Sequence, residues 1–469
     1  MTTYDVFDPA TLELVGQAPL HGADDVDVAV TRAVAAGPGW AADRGARRAA
    51  LRGAAEALRA KAPEIGRRLS LEQGKVLREA VGEVLVAADV FDYYAALDWD
   101  EEETLPDRQG RSLLVQRRPV GVVAAITPWN FPISLLSVKL APALVAGCTV
   151  IAKPSPTTPL STIALIETVA AFTPTGVVQW LTGRRAVNKA LSEHPRVRKI
   201  SFTGSTEVGA AIAAQAAPTV KRVTLELGGN DPAIVLPDAD AAFTAAGVVG
   251  SAFRNAGQVC MAVKRVFVPA DRAREMVDAI AAEAARLTVG HGVDEGTTMG
   301  PMHSRSQLEL VEGLVRDAVD AGGRLATGGG RGTSLPGYFL EPTVVADAAF
   351  DSPLVAREQF GAALPVVAYT DLDDLLARLN AQEFGLGASV WSPDLDRAEL
   401  LATRIEAGTV WINQHTQVEL DAPFGGWKAS GIGRERGPFG LEPYLELRTI
   451  NARAHAPAVS PTAAVSTAR

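Results

Sequence analysis

Apolar and polar positions between residues 26 and 97 recur with the period of amphipathic helices, as in Arg47 to Arg59 and Val81 to Leu97. A polar stretch, Asp98–Gly110, breaks this pattern; the apolar segment Leu113–Val115 and the basic pair Arg117–Arg118 follow it. From Val120 the period changes. Short β-branched runs (Val120–Thr127, Thr149–Lys153, Val177–Thr182, Arg198–Thr203 and Arg222–Leu227) alternate with helical stretches. That alternation predicts βαβ units, a parallel sheet with helices on both faces. A second α/β series starts near residue 230 and includes Ala233–Leu236, Arg265–Val268, Tyr338–Val345, Leu364–Tyr369 and Gly408–Asn413. Two successive series predict two lobes with a ligand cleft between them. The last residues, Ala452–Arg469, are rich in Ala, Pro, Ser and Thr and are expected to be disordered.

Composition narrows the function classes. A chain of 469 residues exceeds the usual size of one hydrophobic core, so two or three domains are expected. The formal net charge of −9 argues against a nucleic-acid or anionic-membrane partner. Met1 to Gly16 lacks a basic region followed by an apolar one, and no apolar run approaches the roughly 18 residues a bilayer span needs. The chain reads as soluble and cytoplasmic. Its only cysteines are Cys148 and Cys260. A disulfide framework or a thiolate metal site needs more, and the histidines lack ligand spacing, so no metal is expected.

Few residues remain that can carry chemistry, and each has an ordinary reading beside the chemical one. Cys260, in Gly257-Gln258-Val259-Cys260, is a nucleophile on an exposed bend or a small buried hydrophobe. Cys148, entering an apolar strand, fits core packing. Glu226, between Leu225 and Leu227 and followed by Gly228-Gly229, is a base of raised pKa or a strand-edge carboxylate. Gly204-Ser205-Thr206 opens the helix Glu207–Gln215, where it holds a phosphate or caps the helix. Asn130, in Pro128-Trp129-Asn130-Phe131-Pro132, stands at the carboxyl end of a strand and donates to an oxyanion or bonds its own turn. Lys153 reaches a phosphate or ribose, or is a solvated strand end. No G-x-G-x-x-G follows a predicted strand, and Gly328–Gly332 reads as a loop.

Together these stretches resemble the aldehyde dehydrogenase superfamily, of the NAD(P)-dependent, hydrolytic, non-acylating type. The resemblance rests on Pro128-Trp129-Asn130-Phe131-Pro132, Lys153-Pro154-Ser155, Phe202-Thr203-Gly204-Ser205-Thr206, Leu225-Glu226-Leu227-Gly228-Gly229 and Gly257-Gln258-Val259-Cys260. Glu358-Gln359-Phe360-Gly361, Pro423-Phe424-Gly425-Gly426-Trp427-Lys428 and Gly431-Ile432-Gly433-Arg434-Glu435 complete it, in the family's order and over nearly the whole chain.

The resemblance implies an α/β fold with a Rossmann-like cofactor domain (1–100 and 119–228), a catalytic α/β domain (229–428) and a small β oligomerisation element (101–118 and 440–451). It implies oxidation of an aldehyde to a carboxylic acid with NAD⁺ or NADP⁺. Cys260 would attack the carbonyl, the Asn130 amide and the Cys260 N–H would hold the oxyanion, and hydride loss would leave a thioester. Glu226 would activate the hydrolytic water, and Glu435 would assist proton transfer. Trp129, Lys153, Gly204, Ser205, Glu358 and Phe360 would contact the cofactor, Ser205 at its pyrophosphate and Glu358 at the nicotinamide ribose. Phe424, Val259 and Met261 would line the aldehyde path. The hairpin at 101–118 would pair with a strand near Tyr444–Asn451 of a neighbouring subunit, making a homodimer or homotetramer.

The chain departs from the pattern in two places. Pro156 stands where many NAD⁺-preferring members carry a ribose-reading Glu. Loss of that carboxylate removes the repulsion of a 2′-phosphate and leaves room for NADP⁺, with NAD⁺ slightly favoured. Arg357 and Ala362 flank the Glu358 motif where the family usually has an acid and a proline, a change expected in local stiffness rather than function. Two rivals stand beside this reading: a CoA-acylating relative, against which Glu226 argues, and a non-catalytic dinucleotide-binding structural protein. No arginine anchor is apparent near the nucleophile, which favours an uncharged or cationic aldehyde.

Overall fold

The structure, a computed structural model, describes residues 2–106 and 111–453. Two parallel sheets organise it. The first orders its strands Gly431–Ile432, Arg222–Glu226, Val197–Thr203, Val122–Ile126, Thr149–Lys153, Val178–Trp180. All neighbours are parallel except the short Gly431–Ile432 at the edge. The Val122–Ile126 and Thr149–Lys153 strands are buried at every position, as strands covered on both faces must be. Numbered along the chain from Val122–Ile126, the parallel strands stand in the order 3-2-1-4-5, so the connections reverse direction between Val122–Ile126 and Val197–Thr203. The crevice beyond the carboxyl ends of such a pair is where α/β sheets bind ligands.

The second sheet runs Arg324–Thr327, Thr343–Ala346, Ala363–Tyr369, Arg265–Pro269, Pro232–Val235, Gly387–Trp391, Thr409–Ile412. It is parallel except at Arg324–Thr327 and surrounds its own core. Helices Arg44–Gln73, Leu77–Ala96 and Pro132–Ala146 pack together against the first sheet.

The expected strands are present with edges moved by a residue or two; Tyr338–Val345 shortens to Thr343–Ala346, since Pro342 has no N–H for a ladder. The hydrophobic pattern missed the hairpin Thr3–Phe7 with Leu14–Pro19, whose strands are mostly exposed or half-buried. It also missed Gly387–Trp391, a fully buried central strand that opens on a glycine.

A third, three-stranded sheet corrects one expectation. Leu445–Arg453 pairs antiparallel with Arg111–Pro119 of the same chain, in register from Leu445–Pro119 to Arg453–Arg111. The reason is connectivity: Val120 N–H donates to Tyr444 O at 2.9 Å, so the strand leaves its preceding turn already beside its partner. Glu102–Leu105 completes this sheet; residues 107–110 lie outside the described part of the chain. The strand runs on through Arg453, so Ala452 and Arg453 are not tail; residues 454–469 lie outside the described part of the chain.

Candidate active site

A cavity of about 260 Å³ opens at the switch point of the first sheet and is closed by loops of the second. Pro128, Trp129 and Asn130 reach it from the end of Val122–Ile126, and Thr203, Gly204 and Ser205 from the end of Val197–Thr203. Cys260, Gln307, Glu358 and Phe360 enter from the other lobe. The structure thus brings Cys260, Asn130, Trp129, Gly204, Ser205, Glu358 and Phe360 together across more than two hundred residues of sequence.

Cys260 sits in a turn closed by Ala262 N–H donating to Val259 O at 3.2 Å. The loop before it is strained: Asn255, Ala256 and Gly257 have φ of 49°, 54° and 74°. For the two non-glycine residues this costs about 1–2 kcal/mol each. Gly257 is obligatory, because a Cβ there would lie 2.2 Å from Gly361 O. Buried polar groups hold the loop in place. Gln258 Nε2 donates to Asn255 O at 2.9 Å, and Lys264 Nζ to Gly257 O at 3.1 Å. Burial pushes the Cys260 thiol up to about 12; the Glu358 charge adds to this and Lys264 opposes it.

Asn130 is fixed from two sides. Lys75 Nζ donates to Asn130 O at 2.7 Å and pairs with Glu83 Oε2 at 2.5 Å, both side chains fully buried. Glu83 Oε1 accepts from Ile133 and Ser134 N–H at 2.9 and 3.1 Å, capping the helix Pro132–Ala146. The Asn130 amide donates to Gln258 O at 2.9 Å, which uses one of its two N–H groups and leaves the other for a ligand.

Glu226 ends its strand and is buried. Neither carboxylate oxygen has a hydrogen-bond partner among the described residues. Burial, then the charge of Glu435, pushes its pKa well above the usual carboxylate range. It packs toward Gly425, where a Cβ would lie 2.8 Å from Oε1, and it does not line the cavity. Glu435 is buried too, with Lys139 Nζ at 2.5 Å and Ser201 Oγ at 3.3 Å.

The expected cofactor contacts divide. Ser205 is the N-cap of the helix Thr206–Ala216, accepting from Val208 N–H, while it also faces the cavity, so its two readings coexist. Glu358 Oε1 accepts from Gly229 N–H at 3.3 Å, and a Cβ on Gly228 would lie 2.6 Å from Oε2. Burial raises Glu358 to about 7. Trp129 is held between the parallel ring of His303 (4.4 Å, 13°) and the edge-on ring of Phe360 (5.6 Å, 86°). Lys153 is buried outside the cavity lining, and desolvation lowers it to about 8. Phe424, Val259 and Met261 do not line this cavity; Phe424 instead bridges Glu435 through paired backbone hydrogen bonds of 2.9 and 2.8 Å. Cys148 is buried in the core, as expected.

Several site residues escaped the sequence reading. Lys139 had a visible signal: a lone lysine inside the apolar helix Pro132–Ala146 needs a buried partner. His303 had none, since its partners Gln73 and Thr157 are distant in sequence. Lys75 and Glu83 stand eight residues apart and Lys264 bonds Gly257 seven residues back, but the contacts that make Lys75 and Glu83 site residues, with Asn130 and the helix Pro132–Ala146, lie far along the chain.

A cysteine facing a helix start at the switch point of a parallel sheet is the geometry of a dinucleotide-dependent oxidoreductase with thiol chemistry. The chain belongs to the aldehyde dehydrogenase family, whose sequence model matches residues 1–450. It is 38% identical over 454 residues to the succinate-semialdehyde dehydrogenase [NADP(+)] of Escherichia coli, covering 95% of this chain and 93% of that one. It is 40% identical over 453 residues to the geranial dehydrogenase of Castellaniella defragrans, covering 95% and 94%. The fold matches a betaine aldehyde dehydrogenase from Staphylococcus aureus in complex with NAD⁺, with TM-score 0.94, 32% identity and coverage of 97% and 93%. The protein is an NAD(P)-dependent enzyme that oxidises an aldehyde to a carboxylic acid. Among the described residues no cluster fit to hold a metal ion occurs, and no helix is long and apolar enough to cross a membrane.

Proposed function

We propose that Cys260 attacks the aldehyde carbonyl, with the free Asn130 N–H and the Cys260 backbone N–H holding the oxyanion of the thiohemiacetal. The observation that carries this reading is the single cavity shared by Cys260, Asn130, Ser205 and Glu358. The open N-terminus at Ser205 fits a pyrophosphate, and Glu358 fits a ribose hydroxyl pair. Lys153 stands behind this subsite, and Trp129, Gly204 and Phe360 form its walls. A bound nicotinamide dinucleotide supplies the hydride acceptor. The Cys260 thioester is then hydrolysed by a water that Glu226 deprotonates, which requires Glu226 to swing from Gly425 toward the sulfur. Glu435, through Lys139, receives or screens the proton. Val259, Met261 and Phe424 shape the aldehyde path from outside the cavity.

Residues 1–100 and 119–228 form the dinucleotide-binding domain in this reading, and 229–428 the catalytic domain. Segments 101–118 and 440–451 form the oligomerisation element of a homodimer or homotetramer. Exposure of Leu447 (69%) and Ile450 (43%) on the edge strand supports that role. Two free cysteines fit a reducing compartment, the cytoplasm. The three residues given to the aldehyde path, Val259, Met261 and Phe424, are uncharged, which supports an uncharged aldehyde over a carboxylate-bearing one.

The test is kinetic. Cys260→Ala abolishes oxidation while dinucleotide binding persists; substantial residual turnover would falsify the mechanism. Glu226→Gln retains the burst of reduced cofactor and slows steady-state turnover. A screen of aliphatic, aromatic, amino and carboxylate-bearing aldehydes with NAD⁺ and NADP⁺ tests the substrate class.

A further inference from the structure

His303 lies in the loop between Gly300 and the helix Arg305–Asp320, and it is buried. Its Nδ1 is 3.1 Å from Gln73 O, which can only accept, so Nδ1 carries the proton and donates it. Nε2, the acceptor of that tautomer, receives the hydroxyl proton of Thr157 at 2.7 Å. Thr157 Oγ1 in turn accepts from Ser155 Oγ at 3.1 Å. The ring lies flat on Trp129, a wall of the cavity. The backbone N–H of His303 donates to Gln258 Oε1 at 2.8 Å, and the Gln258 backbone carbonyl is the acceptor for Asn130 Nδ2. Burial holds the imidazole near 4, so it is neutral and its hydrogen-bond directions are fixed.

We propose that His303 is a positioning residue that couples the dinucleotide subsite to the nucleophile loop. His303 touches all three parts at once: its ring stacks on Trp129, its Nε2 holds Thr157 of the Lys153–Thr157 segment, and its backbone N–H holds the Gln258 side chain, beside the direct bond from Asn130 to Gln258 O. Pressure on the Trp129 wall or on the Ser155–Thr157 hydroxyl chain is passed to Gln258, and from there to the turn that presents Cys260 and to the amide of Asn130. The inference rests on the assignment of Trp129 and Lys153 to the cofactor.

The experiment measures two quantities on the full chain: NAD⁺ and NADP⁺ dissociation constants from tryptophan quenching, and the rate of Cys260 alkylation by iodoacetamide with and without dinucleotide. In the native enzyme saturation with dinucleotide changes the alkylation rate severalfold. In His303→Leu the dissociation constant rises about tenfold, the scale of losing a buried hydrogen bond, and the two alkylation rates become equal. His303→Asn keeps a donor near Gln73 O but cannot reach Thr157, and it falls between; if the leucine variant does not fold, the asparagine variant decides by the same ratio. A lowered Tm with the native ratio of alkylation rates means a purely structural role and overturns the proposal. Absence of any dinucleotide binding by the native enzyme overturns the cofactor assignment itself.

Discussion

Lys139 Nζ lies 2.5 Å from Glu435 Oε1, a buried ion pair built from a helix of the first lobe and a loop near the end of the chain. Lys139 also donates to Thr203 Oγ1 at 2.7 Å, so one cation ties Glu435 to the strand end beside the cavity. After burial, the Glu435 charge is the largest cause of the raised pKa of Glu226, and the Lys139 charge opposes it. A general base must be ionised, so the acidic limb of kcat moves with that pKa. Glu435→Gln shifts the limb to lower pH, and Lys139→Met shifts it to higher pH. Profiles that superimpose on the native one in both variants would separate this pair from the chemistry.

Glu358 gives a stability prediction with a defined sign. Its pKa rises from 4.5 to about 7 on folding, so between those values the folded state holds the proton that the unfolded state has lost. Stability from this group is present at and below pH 4.5 and declines as the pH rises toward 7. Glu358→Gln removes that decline. Chemical denaturation at several pH values reads it, and parallel pH dependences in the two proteins would count against the prediction.

Lys75 and Glu83 form a buried pair that supports Asn130. Removing one partner strands the other charge in the core, at a cost of about 3–5 kcal/mol. Glu83→Ala therefore lowers the denaturation midpoint by that equivalent and also frees the N–H groups of Ile133 and Ser134. Turnover falls with it because Lys75, a donor to the Asn130 carbonyl, loses the carboxylate that holds it in place. A loss below about 1 kcal/mol would show that the pair is not needed to hold the helix start.

Gly257→Ala places a methyl group 2.2 Å from Gly361 O at a φ of +74°. The loop must move, and Cys260 moves with it. The expected result is a destabilisation of more than about 1 kcal/mol with a loss of titratable active sites in the burst assay. Full burst amplitude in the variant would mean that the nucleophile turn is independent of this strain.

Sequence and tertiary structure contributed different things. Strand and helix periods are local, and they revealed both α/β series and the position of Asn130, Ser205 and Glu226 at element ends. Cys260 by itself is ambiguous, since a lone cysteine has the same local pattern as a core residue, and it is the ordered companion motifs that set it apart. The pairing of Leu445–Arg453 with Arg111–Pro119 within one chain was not legible, because β-partners are chosen by where connections deliver them. Nor was the hub at His303, whose partners Gln73, Thr157, Trp129 and Gln258 are scattered along the chain. The sequence alone determined which residue types are available and which elements carry them. Only the folded packing decided which buried polar groups satisfy one another, because that depends on distances between segments the chain order does not encode.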